Sequence, residues 1–285
     1  MANRQHLILG LLCAVAVGQA SAVYAQQRPL VTEDPETVGD GRLLIESGFD
    51  YGRNVRFPVS GLEGNLLRMP LIGISIGVGS TGEIQIDGGL RNRLTITDRS
   101  QAPLTSMLTA TGPTTSDFED MVVGAKVRLV RESEGFPSLG MRFATRLPNA
   151  SNESGLGNDT MDFHSMLLLG KTVQSMRVVG NIGVAFLSDP VRGDNQNDVL
   201  VYGLSFARAL NTAAEVVGEV NGRWSTRPGV APSGTETRGQ ARFGVRYTHG
   251  SLRWDGALVM GLTPLDPGVG IAAGFTYVLD AFTTP

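Results

Sequence analysis

Residues 237–247 read TRGQARFGVRY, and the fold turns on how that stretch is placed. Arg238, Gln240, Arg242, Gly244 and Arg246 alternate with Thr237, Gly239, Ala241, Phe243, Val245 and Tyr247. A strand sends successive side chains to opposite faces, so this stretch has one cationic face and one apolar face. A helix would scatter both sets around its circumference. Residues 83–93 repeat the pattern, with Glu83, Gln85, Asp87, Gly89, Arg91 and Arg93 set against Ile84, Ile86, Gly88, Leu90 and Asn92.

Working outward, the same period occurs at 43–51, 121–130, 139–147, 161–169, 176–186, 200–206, 213–224, 252–262 and 269–279. Residues 66–78 are less regular, because apolar side chains occupy both phases and Pro70 removes a ladder donor. The chain therefore contains about twelve segments of roughly ten residues, the pattern of an all-β, antiparallel transmembrane β-barrel.

The connections separate into two classes. Residues 52–65, 97–117, 148–160, 188–198 and 226–236 are long, whereas 79–82, 132–137, 172–175, 210–212 and 248–251 are short. From an N-terminus in the periplasm, every long connection falls outside the cell and every short one inside, as outer-membrane barrels require. The last hairpin, 263–267, is short although it should be external. A soluble sandwich has no reason to sort loop lengths by side, and it would turn its charged face to water.

Residues 1–25 read as a cleaved signal peptide, with Arg4 ahead of the apolar run 7–18 and the small-residue site Val23-Tyr24-Ala25 before Gln26. That run is too short to span a bilayer as a helix, and no later apolar run is long enough either. Any span must then be β. Cys13, the only cysteine, lies in this leader, so the mature chain would have none. Residues 26–40 are polar and are expected as an extended lead-in on the periplasmic side, followed by a single barrel domain over 41–285.

The chain has 285 residues, 41% hydrophobic and 18% charged, with a formal net charge of -3, so neither disorder nor a nucleic-acid partner is indicated. Lys126 and Lys171 are the only lysines, and arginine carries nearly all the positive charge. If 213–224 pairs with 237–247, one register sets Glu219 opposite Arg242, Glu215 opposite Arg246 and Arg223 near Arg238. Such pairs would hold the strands in register and neutralise charge inside a narrow lumen. Alternatively, arginines without partners, among them Arg91, Arg93, Arg128 and Arg238, would favour anionic solutes. The candidate lumen residues are Asp87, Arg91, Arg93, Lys126, Arg128, Glu215, Glu219, Arg238, Arg242 and Arg246. A barrel of about twelve strands has an intermediate bore that long arginines would nearly close.

Catalytic patterns are poor. His164 and His249 are the only histidines after the leader, which argues against histidine metal clusters, and no cofactor is expected. His164 and Ser165 are adjacent, so on a strand they face opposite ways, and the His-x-Ser triplet His249-Gly250-Ser251 falls in a Thr-His-Gly-Ser turn, not along a strand where the pattern of outer-membrane phospholipase A puts both groups on one face.

Two blocks, RPLVTEDPETVGDGRLLIESGFDY (28–51) and FPSLGMRFATRLPNASNESGLGNDTMDF (136–163), with DFEDMVVGAKVRL (117–129) between them, go beyond generic barrel character. They resemble the outer-membrane barrel family named for the meta-pathway of phenol degradation. The resemblance implies an outer-membrane channel or transporter for passive uptake of small aromatic or anionic molecules, and no enzyme. It carries over no binding residue. The implied partners are outer-membrane lipid and lipopolysaccharide, the barrel-assembly machinery and a small solute. The chain ends Asp280-Ala281-Phe282-Thr283-Thr284-Pro285, off the phase kept by Phe275 and Tyr277, which suggests an internal assembly signal. The competing expectation is a structural or surface-exposed barrel with a closed lumen.

Overall fold

The computed structural model describes residues 27–282. The expected leader, 1–25, lies outside them. The strands are β1 (Arg42–Phe57), β2 (Leu62–Val78), β3 (Gly82–Gly89), β4 (Asn92–Arg99), β5 (Thr114–Asp117), β6 (Val122–Val130) and β7 (Ser138–Arg146). There follow β8 (Asp162–Val173), β9 (Met176–Ser188), β10 (Gln196–Ala209), β11 (Ala214–Ser225), β12 (Arg238–His249), β13 (Leu252–Gly261) and β14 (Val269–Asp280).

Each strand pairs antiparallel with its neighbours, and β1 pairs with both β2 and β14, closing a ring of 12 strands. β4 and β5 are not separate staves. They prolong β3 and β6 beyond the ring and pair with each other, and β4 also pairs with the outer half of β2.

The charged phase points inward. In β12, Arg242 and Arg246 are buried while Phe243, Val245 and Tyr247 are exposed. In β3, Glu83 and Gln85 are buried while Ile84 and Ile86 are exposed. Leu204, Val220, Leu258, Met260 and Ile271 continue the apolar exterior around the wall. Exposed aromatics mark both margins of this belt: Phe163, Phe186 and Trp224 lie towards the long connections, Tyr247, Trp254 and Tyr277 towards the short turns. Phe163 packs against Phe143 and Phe186, and Trp254 meets Phe275 edge to face at 5.7 Å. A charged interior inside an apolar wall with aromatic margins is the arrangement of a barrel embedded in lipid, the inverse of a soluble sandwich.

The irregular phase of 66–78 has a structural cause. Gly48 pairs with Leu71 but Asp50 pairs with Arg68, so β2 holds one extra residue at Met69–Pro70. The same insertion recurs next door, between β3 and β4 at Leu90–Arg91 and between β5 and β6 at residues 118–121. Each bulge flips the inward face. Gly73 and Ser75 are buried below it, whereas above it Arg68 reaches into the lumen. Pro70 lies in this bulge, where its missing N–H costs no ladder bond.

The two connection classes stand at opposite ends of the ring, but their contents differ from the sequence reading. Of residues 52–65, all but 58–61 extend β1 and β2, and the two ends of 97–117, residues 97–99 and 114–117, belong to β4 and β5. These extensions lie beyond the apolar belt, so the alternation that marks a strand in sequence fades there. The long connections also interlock. Ser60 Oγ donates to the Gly155 carbonyl, Thr109 N–H to Glu153, and Thr115 Oγ1 to Ser154, with Val59 and Leu62 buried beneath.

Candidate functional site

Residues 27–40, expected as a periplasmic lead-in, lie inside the ring. Leu30, Thr32, Glu33, Asp34, Thr37 and Val38 are all buried. The segment starts from β1 at the short-turn end, where Val38 packs on Leu44 and Val278. It rises along β6, β7 and β9, then crosses to β11, β12 and β14.

A backbone placed there must find partners for its polar groups, and these residues form no ladder with the wall. Side chains supply the partners instead. Glu219 accepts the N–H groups of Val31 and Thr32 and the Thr32 hydroxyl at 2.7–2.9 Å. Asn181 accepts from the Glu33 N–H and donates to its carbonyl, both at 2.7 Å. Glu83 accepts from the Val38 N–H. On the far side Arg242 donates to the Pro29 carbonyl, and Arg246 to the carbonyls of Arg28 and Gln27.

The segment's acids meet the wall's cations. Glu33 lies 2.9 Å from Arg142 and 3.5 Å from Lys126, which is 0% exposed and also 3.2 Å from Glu83. Arg177 grips both oxygens of Asp34, at 2.6 and 2.8 Å, and Arg128 binds Glu36. Arg28 reaches the opposite wall, 3.5 Å from Asp255 and bonded to the Ala273 carbonyl. Small wall residues make room for the chain. A Cβ at Gly77 would collide with the Gly39 carbonyl, and one at Gly203 would stand 3.5 Å from the Thr32 Cβ.

The expected lumen residues separate into groups. Lys126, Arg128, Glu219, Arg242 and Arg246 all bind the segment. Glu215 stands opposite Arg246 and Glu219 opposite Arg242, both pairs 3.7 Å apart, and Arg223 opposite Arg238, the register read from the charges. Asp87 faces the cavity beside the segment, 3.7 Å from Arg142. Arg238 lies nearer the long connections, bonded to the carbonyls of Leu265 and Arg56. Arg91 and Arg93 are not brought to this group. Both are exposed, Arg91 in the bulge just before β4 and Arg93 on the face of β4 opposite the buried Asn92 and Leu94, because the bulge at 90–91 reverses the phase that 83–89 establish.

Sequence reasoning passed over Arg142, Arg177, Glu33, Asp34 and Glu36. Arg142 keeps the charged phase of 139–147 with Gly140, Ala144 and Arg146, and the acids crowd the run Glu33-Asp34-Pro35-Glu36. Above the segment a second cluster braces the wall: Arg68 binds Asp50 and Glu119 at 2.6 and 2.9 Å, and Arg146 binds Asp120 and Asp162. A cavity of about 200 Å³ remains between Arg28 and Leu30 of the segment and Leu71, Ile72, Asp87 and Val122 of the wall. His164 and Ser165 are consecutive residues of β8. Among the described residues no group of His, Cys, Asp and Glu is arranged to hold a metal ion.

The fold resembles an outer-membrane channel from Pseudomonas putida F1 with a TM-score of 0.61, at 10% identity over 86% of this chain and 98% of that one. It also resembles the NanC porin, with a TM-score of 0.50 at 8% identity over 82% of this chain and 98% of the porin. At such identities the likeness is one of fold. No protein-family model and no curated protein matches the sequence.

Proposed function

We propose that this chain is a channel of the bacterial outer membrane for passive uptake of small solutes, closed at rest by residues 27–40. The observation that carries the reading is how the lumen is filled. Its occupant is bound through side chains and ion pairs, without a strand ladder. Bonds of that kind exchange with water or solute one at a time, whereas a laddered strand would be a permanent stave. The apolar exterior and the likeness in fold to outer-membrane channels support the membrane and the passage. The resemblance of 28–51 and 136–163 to the phenol meta-pathway barrels supports small aromatic solutes, and the arginines of the lumen support anionic ones. The short turns and the root of the segment face the periplasm, and the interlocked connections face the medium and its lipopolysaccharide.

The density of bonds to residues 27–40 also favours the second reading, a barrel whose lumen never opens. One experiment separates the two. Thr32→Cys with Gly203→Cys sets two β-carbons 3.5 Å apart, at the lower edge of disulfide geometry, in a mature chain without other cysteines. In a planar bilayer the oxidised protein passes no current and the reduced protein conducts. No current in either state, at any voltage, would establish the closed barrel. Equal current in both would show that the segment is not the gate.

A further inference from the structure

The cations that hold residues 33–36 stand on one wall. Lys126 and Arg128 come from β6, Arg142 from β7 and Arg177 from β9, and the side chains of all four are 0–10% exposed. Their occupants are the three carboxylates of Glu33, Asp34 and Glu36. The wall supplies fewer acids of its own at these positions: Glu83 for Lys126, Asp87 for Arg142 and Glu132 for Arg177. Among the described residues Arg128 has no second carboxylate within ion-pair distance. With the segment lifted, four cations would therefore face the lumen against three acids outside the segment, a net positive surface that favours an anionic occupant.

We infer that this wall is an anion-binding site of the lumen, with residues 33–36 as its built-in occupant. Its external ligand is a small molecule carrying two or three carboxylates, which replaces Glu33, Asp34 and Glu36 and keeps the segment from reseating. Arginine suits the task because its fork binds a carboxylate through two parallel hydrogen bonds, as Arg177 does with Asp34 at 2.6 and 2.8 Å. The tethered occupant competes at an effective concentration in the millimolar range, so the free ligand binds weakly to the wild-type protein. This inference rests on the reading of the chain as a plugged channel, and its ligand class follows from the chemistry of the occupant alone.

The test is calorimetric titration of the full chain in detergent, at fixed ionic strength, with benzene-1,3,5-tricarboxylate as probe. Glu33→Gln with Asp34→Asn and Glu36→Gln strips the occupant of its charge and leaves the cations in place. That variant is expected to bind the probe at least tenfold tighter than the wild type, and adding Arg128→Gln and Arg177→Gln should abolish the gain. If the triple variant does not fold, Asp34→Asn with Glu36→Gln alone should give about a threefold gain. Binding no tighter than wild type, or a gain that survives loss of Arg128 and Arg177, overturns the site. Titration reads binding without transport, so failure of the site and failure of the channel reading are separable.

Discussion

Replacing Glu33 by Gln should open the barrel without unfolding it. The Glu33 carboxylate lies 2.9 Å from Arg142 and 3.5 Å from Lys126, and it accepts from Gln85 at 3.2 Å. Breaking one partner of a buried ion pair costs about 3–5 kcal/mol. Here the cost is smaller, because Lys126 keeps Glu83 at 3.2 Å, Arg142 keeps Gln85 at 2.6 Å, and the new amide still offers an acceptor. A loss of about 2–3 kcal/mol in seating free energy follows, the range of one hydrogen bond to a charged group. At about 1.36 kcal/mol per tenfold, the equilibrium between seated and lifted segment moves about 30- to 150-fold towards lifted. Single-channel recording of wild type and Glu33→Gln reads that ratio as open probability, with the oxidised Thr32→Cys, Gly203→Cys protein as the closed reference. Added salt should change it little, because the pairs are buried and poorly screened. An unchanged open probability, in a protein that still shifts on an unheated gel, would refute the idea that ion pairs seat the segment.

Other consequences can be checked independently. Gly77→Val places a side chain against the Gly39 carbonyl at the root of the segment, so residues 27–40 should become cleavable by protease while the ring stays resistant. Mass spectrometry of the digest detects the difference. Leu258→Arg puts a charge on the exterior, where Leu258 is 57% exposed, and should destabilise the barrel by up to about 2–4 kcal/mol, as measured by urea titration in lipid vesicles. No loss would mean that this face does not meet hydrocarbon. In the turn after β6, burial alone would raise the Glu132 carboxyl, but the Thr172 N–H and hydroxyl with the charges of Arg177 and Lys171 hold it below the usual range. A depressed carboxyl stabilises above the ordinary value near about 4.3, and that contribution is lost as pH falls through the lowered value. The melting temperature of Glu132→Gln should therefore change less over that acid window than the wild type's.

What the sequence revealed and concealed follows from the range of each signal. Strand alternation is local, so 237–247 could be read without knowing its neighbours. The register against β11 was also readable, because the opposite charges of Glu219 and Arg242, and of Glu215 and Arg246, recur at equal spacing on two adjacent strands. The bulge across 69–70, 90–91 and 118–121 was not, since one extra residue leaves alternation intact on either side and betrays itself only as mixed phase. Arg91 and Arg93 were misplaced for that reason. Residues 27–40 have no period at all. Their position is set by pairs such as Glu33 with Lys126 and Asp34 with Arg177, separated by 93 and 143 residues.

The occupant also accounts for the charge composition of the lumen. Paired only across strands, the inward arginines would need an equal number of inward acids on the wall. Arg128 instead finds its carboxylate on the segment, and Arg142 and Arg177 each find one there besides Asp87 and Glu132, while Glu219 and Glu83, wall acids, accept its backbone N–H groups. Wall and segment are thus complementary in both charge and hydrogen bonding, and neither is satisfied without the other. A lumen meant to stay filled could reach the same stability with apolar packing, since buried ion pairs rarely outperform it. A polar interface costs little more to rehydrate than to keep, and it can be occupied by solvent, solute or the chain itself. That interchangeability is what a gate requires, and it is why the charged phase of the strands, together with the acids at 33–36, is where selectivity should be sought.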